Sequence, residues 1–129
     1  MKKDIVLTLG ELMGLIDPIN VMLDRELPFS TSYKLMQIAD QVDEHSKRYQ
    51  KLNEEMIKKY GKKEEGREDY QIPEKDKKDF LDDRKKLLDS EIEVSIPALT
   101  QEEVEKMSIK PRHLMALKKL IEFSEKELD

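Results

Sequence analysis

Between Ser30 and Tyr60 the chain returns to one side of a helix at steps of three and four: Leu35, Ile38, Val42, His45, Tyr49, Leu52 and Met56. That period predicts a helix burying one narrow stripe, of the coiled-coil kind. The positions between are charged, from Asp40, Asp43 and Glu44 through Lys47, Arg48 and Lys51 to Glu54, Glu55, Lys58 and Lys59. Leu27-Pro28-Phe29 precedes Ser30, whose hydroxyl suits the first free amides of a helix. Gly61 suits the left-handed turn that ends one. Such a helix would run about 45 Å at about 1.5 Å per residue, longer than the core of a small domain, so it is expected to project.

The other elements follow from the same kind of pattern. Asp4 to Thr8 reads as a short strand with apolar groups on both faces, consistent with burial on both sides. Thr8-Leu9-Gly10-Glu11 has capping-box spacing and opens a first helix to about Asp24, with Leu12, Leu15, Ile16, Ile19 and Met22 or Leu23 on one face. Pro18 inside it predicts a kink or break near Asp17. Gly61 to Ile72 is a polar connector with two glycines, whose returning end Tyr70 and Ile72 could anchor. Pro73 fits the first turn of a helix reaching Asp89, with Phe80, Leu81, Arg84, Leu87 and Leu88 at helical spacing. That helix is the natural cover for the long one. Its arm is about half as long, so part of the long stripe must pack elsewhere.

Glu91 to Ile96 alternates strictly, with Ile92, Val94 and Ile96 on one side, and Pro97 ends it. It is expected to pair with residues 4–8. Two strands alone are marginal in water, so the ribbon must lie on helices, gain a third strand or be completed by a partner. Thr100-Gln101-Glu102-Glu103 is a second capping box, opening a short helix with Val104 and Met107. Pro111 opens the last helix, over 111–127, with Leu114, Leu117, Leu120 and Ile121 as its buried face and Phe123 and Leu128 as extensions. The expected fold is α+β and mainly helical: a long antiparallel helical hairpin (30–60 and 73–89), a small antiparallel sheet (4–8 and 91–96) and flanking helices. A chain of 129 residues suits one domain, 1–129.

Composition narrows the function classes. Charged residues make up 41% and hydrophobic residues 37%, but the hydrophobic ones are periodic, which argues against disorder. No apolar run is long enough to span a membrane, and Gly10, Glu11 and Asp17 interrupt any signal-peptide core. Cysteine is absent, which removes disulfides, zinc-thiolate sites and thiol catalysis and permits a cytoplasmic address. The net charge is −5 with the two signs interspersed. The one basic run, Lys58-Lys59-Tyr60-Gly61-Lys62-Lys63, is followed at once by Glu64, Glu65, Glu68 and Asp69, so it reads as a solvated helix end before it reads as a phosphate contact.

Candidate chemistry is sparse. His45 lies in the seam of the long helix, where a hydrogen-bonded register residue is expected before a ligand or base. His113 follows Pro111 in a first turn and reads as a surface residue. Neither has a Glu three residues before it, as helical carboxylate metal sites require. Asp79, Asp82 and Asp83 share a helix face and could hold a hard cation, but five lysines surround them and favour a solvated charged face. The paired Glu-x-x-Glu and Glu-x-x-Asp of helical nucleotide pyrophosphohydrolases is not met: Glu65-x-x-Glu68 falls in the connector, and Glu102-x-x-Glu105 has no partner. The four glycines are isolated, so there is no phosphate loop. Ser30, Thr31 and Ser32 lack a base and suit capping. Met13, Met22, Met36, Met56, Met107 and Met115 could fill the core or form an adaptable contact surface. No catalytic, cofactor or metal site is assigned.

Five stretches set the layout: Leu27-Pro28-Phe29-Ser30, Lys59-Tyr60-Gly61-Lys62, Ile72-Pro73-Glu74, Glu91-Ile92-Glu93-Val94 and Ile109-Lys110-Pro111. On these residues the chain resembles a family of small proteins of unknown function from tailed phages and prophages of low-GC Gram-positive bacteria. The resemblance implies a bacterial or phage setting. The expected function is a non-enzymatic protein–protein interaction module in particle assembly or as an accessory structural protein. The alternative is an inhibitor or modulator of a bacterial host protein, such as a defence enzyme. The expected partner is a protein, with no nucleic acid, membrane or cofactor, and the unequal hairpin arms leave apolar stripe that a homodimer could cover. The expected location is the cytoplasm of the bacterial host, or the virion.

Overall fold

The computed structural model of the chain describes residues 2–63, 65–66 and 69–128. Glu64 and Glu68 of the acidic stretch after the lysine run, and the side chain of Leu128, therefore lie outside the described residues. In chain order the elements are β1 (Lys2–Thr8), α1 (Leu9–Met13), α2 (Ile16–Leu23), α3 (Phe29–Tyr60), β2 (Lys62–Lys63), β3 (Tyr70–Gln71), α4 (Glu74–Leu88), β4 (Glu91–Pro97), α5 (Gln101–Lys106) and α6 (Pro111–Leu128). The fold is α+β and mainly helical, as the hydrophobic pattern predicts.

β1 and β4 pair antiparallel across more than eighty residues of chain, with Ile5 opposite Val94 and Leu7 opposite Ile92. The sheet is buried on one side only. Ile5, Leu7, Val94 and Ile96 face the helices, whereas Val6 on the other side is 49% exposed. Burial of β1 on both sides is thus corrected. Of the three ways to stabilise a lone ribbon, this chain uses packing on helices, chiefly α3. The Leu9 amide extends the ribbon by donating to the Ser90 carbonyl (2.8 Å).

The first helical segment is divided, but not at Asp17. α1 ends at Met13 and α2 begins at Ile16. Pro18 sits in the first turn of α2, where its missing amide costs nothing, and the carbonyl its ring would crowd four residues back is that of Gly14. The break therefore lies at Gly14-Leu15. Both capping boxes form as read: Thr8 with Glu11, and Thr100 with Glu103.

α3 is 32 residues long, about 48 Å at 1.5 Å per residue. Its buried residues are Thr31, Leu35, Ile38 and Val42, all in the N-terminal half. Leu35, Ile38 and Val42 join Leu12, Leu15, Ile19, Met22, Met107, Leu117, Leu120 and Phe123 in one contiguous core with the inner face of the sheet. Beyond Val42 the stripe is at most half-buried, and Leu52 is 43% exposed. α4 covers this half. Phe80 is its one buried residue and meets the Tyr60 ring edge-on at 6.2 Å between centroids.

Several local expectations are corrected. Ser30 does not cap α3: the cap position is Pro28, which has no side-chain hydrogen bond to offer. Gly61 is extended (φ −86°, ψ 158°), not left-handed. Its glycine is required by crowding, because a Cβ there would lie 2.5 Å from the Ile57 carbonyl oxygen and 3.0 Å from the Tyr70 Cβ. The connector is not wholly irregular; β2 and β3 form a two-residue ladder, with Gly66 at φ +84° in the turn between them. Pro73 stands at the cap position of α4, one place before its first turn. On α6 the expected face holds at Leu117, Leu120 and Phe123, which are buried, but Leu114 is 49% exposed and Ser124 is buried beside them. Ser124 closes this contact by donating to the Leu120 carbonyl (2.9 Å) and accepting from the Leu99 amide (3.1 Å).

Candidate interaction surface

The residues singled out for chemistry are spread over the molecule. His45 is half-buried on the α3 seam. The polar tie in that region is made by its neighbours: the Arg84 Nε donates to the Tyr49 hydroxyl at 3.0 Å. His113 is half-buried rather than on the surface, and its Nδ1 is enclosed without a hydrogen-bond partner among the described residues. Asp79 and Asp82 are exposed, while Asp83 turns toward α3 and accepts the Tyr60 hydroxyl hydrogen. That bond, with partial burial and the nearby charges of Asp79 and Asp76, pushes the Tyr60 pKa up to about 12. Among the described residues no group of three or more His, Cys, Asp or Glu is placed to hold a metal ion. In the lysine run, Lys59 lies over the Tyr60 ring at 5.0 Å, while Lys62 and Lys63 form β2. No helix among the described residues is long and apolar enough to cross a membrane.

The strongest polar cluster joins the start of α3 to α5. Glu103 accepts from the Thr31 hydroxyl (3.0 Å), from the Lys34 ammonium (2.7 Å) and from the Thr100 amide (2.9 Å). The first turn of α3 carries no acid of its own, so Glu103 supplies negative charge close to its positive amide end. Burial works to raise the Glu103 pKa, but the bonds from Lys34, Thr100 and Thr31 outweigh it and hold the carboxyl below its ordinary value. Glu11 is likewise held low, first by the Thr8 amide, against partial burial, with help from Lys119 at 2.9 Å. Arg25 joins α2 to the loop after α5: its guanidinium donates to the carbonyls of Met107 and Ser108, the latter at 2.6 Å. Ser108 takes φ +49°, unusual for a residue with a side chain, and the arginine satisfies carbonyls that the helix end leaves free. These contacts all hold the fold. The grooves are small: the one at Thr31, Lys34 and Glu103 holds about 340 Å³, and one between α3 and α4 at Leu52, Met56 and Leu87 about 360 Å³. Both sit at the low end of small-molecule sites.

What the fold leaves unexplained is apolar surface. Phe29 is 94% exposed, Tyr33 64% and Met36 57%. At 100° per residue the three fall within an arc of about 60°, opposite Thr31, Leu35, Ile38 and Val42. The N-terminal half of α3 is therefore apolar on both sides, one buried and one bare. Met22 and Met107 fill the core, so the core-filling role of methionine holds for them; Met36 and the 85%-exposed Met115 depart from it. The spacing of Phe29, Tyr33 and Met36 at i, i+4 and i+7 is visible in the sequence. It stands one helix face away from the stripe that the periodicity reading followed.

No protein-family model, curated protein or solved structure matches this chain.

Proposed function

We propose that the chain is a non-enzymatic protein-interaction module whose contact surface is the outer face of α3 at Phe29, Tyr33 and Met36. The observation that carries this reading is the exposure of three large apolar side chains on one rigid helix, on the face the core does not use. Anchors at i, i+4 and i+7 are the spacing by which helices engage apolar partner surfaces. The supporting elements are stiff, since the same turns of α3 bury Leu35 and Ile38 on their other side. Set in the phage or prophage context that the sequence layout implies, the module would act in particle assembly or as an accessory structural part.

The test is site-specific photocrosslinking. A photoreactive amino acid is placed at Phe29, Tyr33 or, as a control on the projecting arm, Leu81, and the protein is produced in bacteria with and without phage. The expected result is one dominant adduct from positions 29 and 33 and none from 81. Adducts to virion proteins support assembly, whereas an adduct to one host enzyme in uninfected cells supports the inhibitor reading. Absence of any adduct from positions 29 and 33 in both cell types overturns the module reading at this surface.

A further inference from the structure

We infer that the Phe29–Tyr33–Met36 stripe takes a basic amphipathic helix: an apolar face bordered by lysine or arginine. The inference rests on the interaction-module reading and adds the chemistry of the partner. It is carried by the charges around the stripe. Glu26, in the loop three residues before Phe29, and Asp40, one turn beyond Met36 on α3, are both exposed and flank the apolar residues in the chain. Between Glu26 and Ser46 the only lysine or arginine is Lys34. It points to the other flank, where it bonds Glu103 at 2.7 Å. Farther along, Asp43 and Glu44 are each neutralised one turn on, by Lys47 at 3.0 Å and Arg48 at 2.6 Å. The apolar stripe is thus flanked along the chain by two exposed acids, and the nearby cations are engaged elsewhere: Lys34 with Glu103, Lys106 with Glu102 (2.9 Å), and Arg25 with the carbonyls of Met107 and Ser108.

This frame selects among occupants. A second copy would bring the same two acids, Glu26 and Asp40, to the contact with no free cation on the stripe to meet them, which disfavours association. An anionic membrane is repelled by the same acids; helices that lie on membranes carry Lys and Arg beside their apolar face. A helix with lysines flanking its apolar stripe meets both the apolar anchors and the two carboxylates.

The probe is a fluorescently labelled amphipathic peptide of leucine and lysine, about 18 residues long, with a leucine–glutamate peptide of the same pattern as control. Binding is read by fluorescence anisotropy. The lysine peptide is expected to bind at least about tenfold more tightly than the glutamate peptide, and to weaken as salt is raised. Phe29→Ala, Tyr33→Ala and Met36→Ala together should weaken it by about tenfold or more, with the melting temperature unchanged. Glu26→Lys with Asp40→Lys should reverse the preference in favour of the glutamate peptide. Equal binding of the two peptides, or lysine-peptide binding untouched by the triple variant, overturns the inference. So does Phe29-dependent sedimentation with anionic vesicles, or a Phe29-dependent dimer in sedimentation equilibrium. If the peptide arms fail while crosslinks at positions 29 and 33 persist, the partner chemistry is wrong and the module reading stands. If the crosslinks are missing too, both fall.

Discussion

The two halves of α3 solve different problems with the same backbone. From Phe29 to Val42 the inner face is fully buried, in a core built with α1, α2, α5, α6 and the sheet. From Asp43 to Tyr60 the inner face is only half-buried against α4 and tied by polar bonds, Arg84 to Tyr49 and Tyr60 to Asp83. The outer faces differ in the opposite sense. The projecting half is solvated by ion pairs one turn apart, Asp43 with Lys47 and Glu44 with Arg48. The half that already has a core displays Phe29, Tyr33 and Met36 to water. A helix needs only one apolar face to be held in a fold. A second apolar face on the better-anchored half adds nothing to the packing within the chain, and this is what makes it the candidate contact.

The comparison predicts a gradient of mutational effects. Leu35→Ala, at a side chain 1% exposed, should cost about 2–5 kcal/mol in urea unfolding, whereas Leu52→Ala in the projecting half should cost about 1 kcal/mol. Similar costs at the two positions would mean that the halves are equally packed and would break the distinction.

Glu103→Gln comes next, at about 1–2 kcal/mol near neutral pH, because Thr31, Lys34 and the Thr100 amide lose a charged acceptor. The sign of its pH dependence follows from the lowered pKa values of Glu103 and Glu11. A carboxyl held low when folded binds its proton more readily when unfolded. Its stabilisation is fully present above the ordinary carboxylate pKa and is lost as the pH falls through the folded value. Melting temperature measured from neutral to strongly acidic pH should therefore fall less steeply in Glu103→Gln than in the parent. Parallel curves would show that the anchored end of α3 does not depend on this carboxylate.

Phe29→Ser sits at the bottom of the scale, with a stability change within about 0.5 kcal/mol. The same substitution should remove the crosslinked adduct formed from position 33. A loss above about 1 kcal/mol would mean that Phe29 packs within the chain, and the contrast between the outer faces would disappear.

Much of this arrangement is written in short-range pattern. The alternation of residues 91–96 marks β4, the two capping boxes open α1 and α5, and the three-and-four spacing from Leu35 to Met56 runs along α3. These features depend on neighbours within a turn or a strand repeat, so the linear order suffices to specify them. The position of the break before Pro18 was also within reach, since the clash of a proline ring falls four residues back, on Gly14, rather than on the residue before it. The exposed stripe was half-legible: its spacing is plain, but an apolar i, i+4, i+7 set reads equally as core or as contact until the position of the core is known.

Periodicity and capping settled the main helices, the two paired strands and their order, though not the β2–β3 ladder. Which apolar residues the core consumes was settled by packing. On α6 Leu114 is left outside and Ser124 is taken in, where it accepts from the Leu99 amide, twenty-five residues away. The acid beside the start of α3 comes from α5, seventy-two residues after Thr31, and the carbonyls at the end of α5 are met by Arg25 of an earlier segment. Each of these contacts joins groups distant in sequence, and local periodicity carries no record of distance across the chain. Phe29, Tyr33 and Met36 became a surface for the same reason: the core closed over the opposite face of their helix.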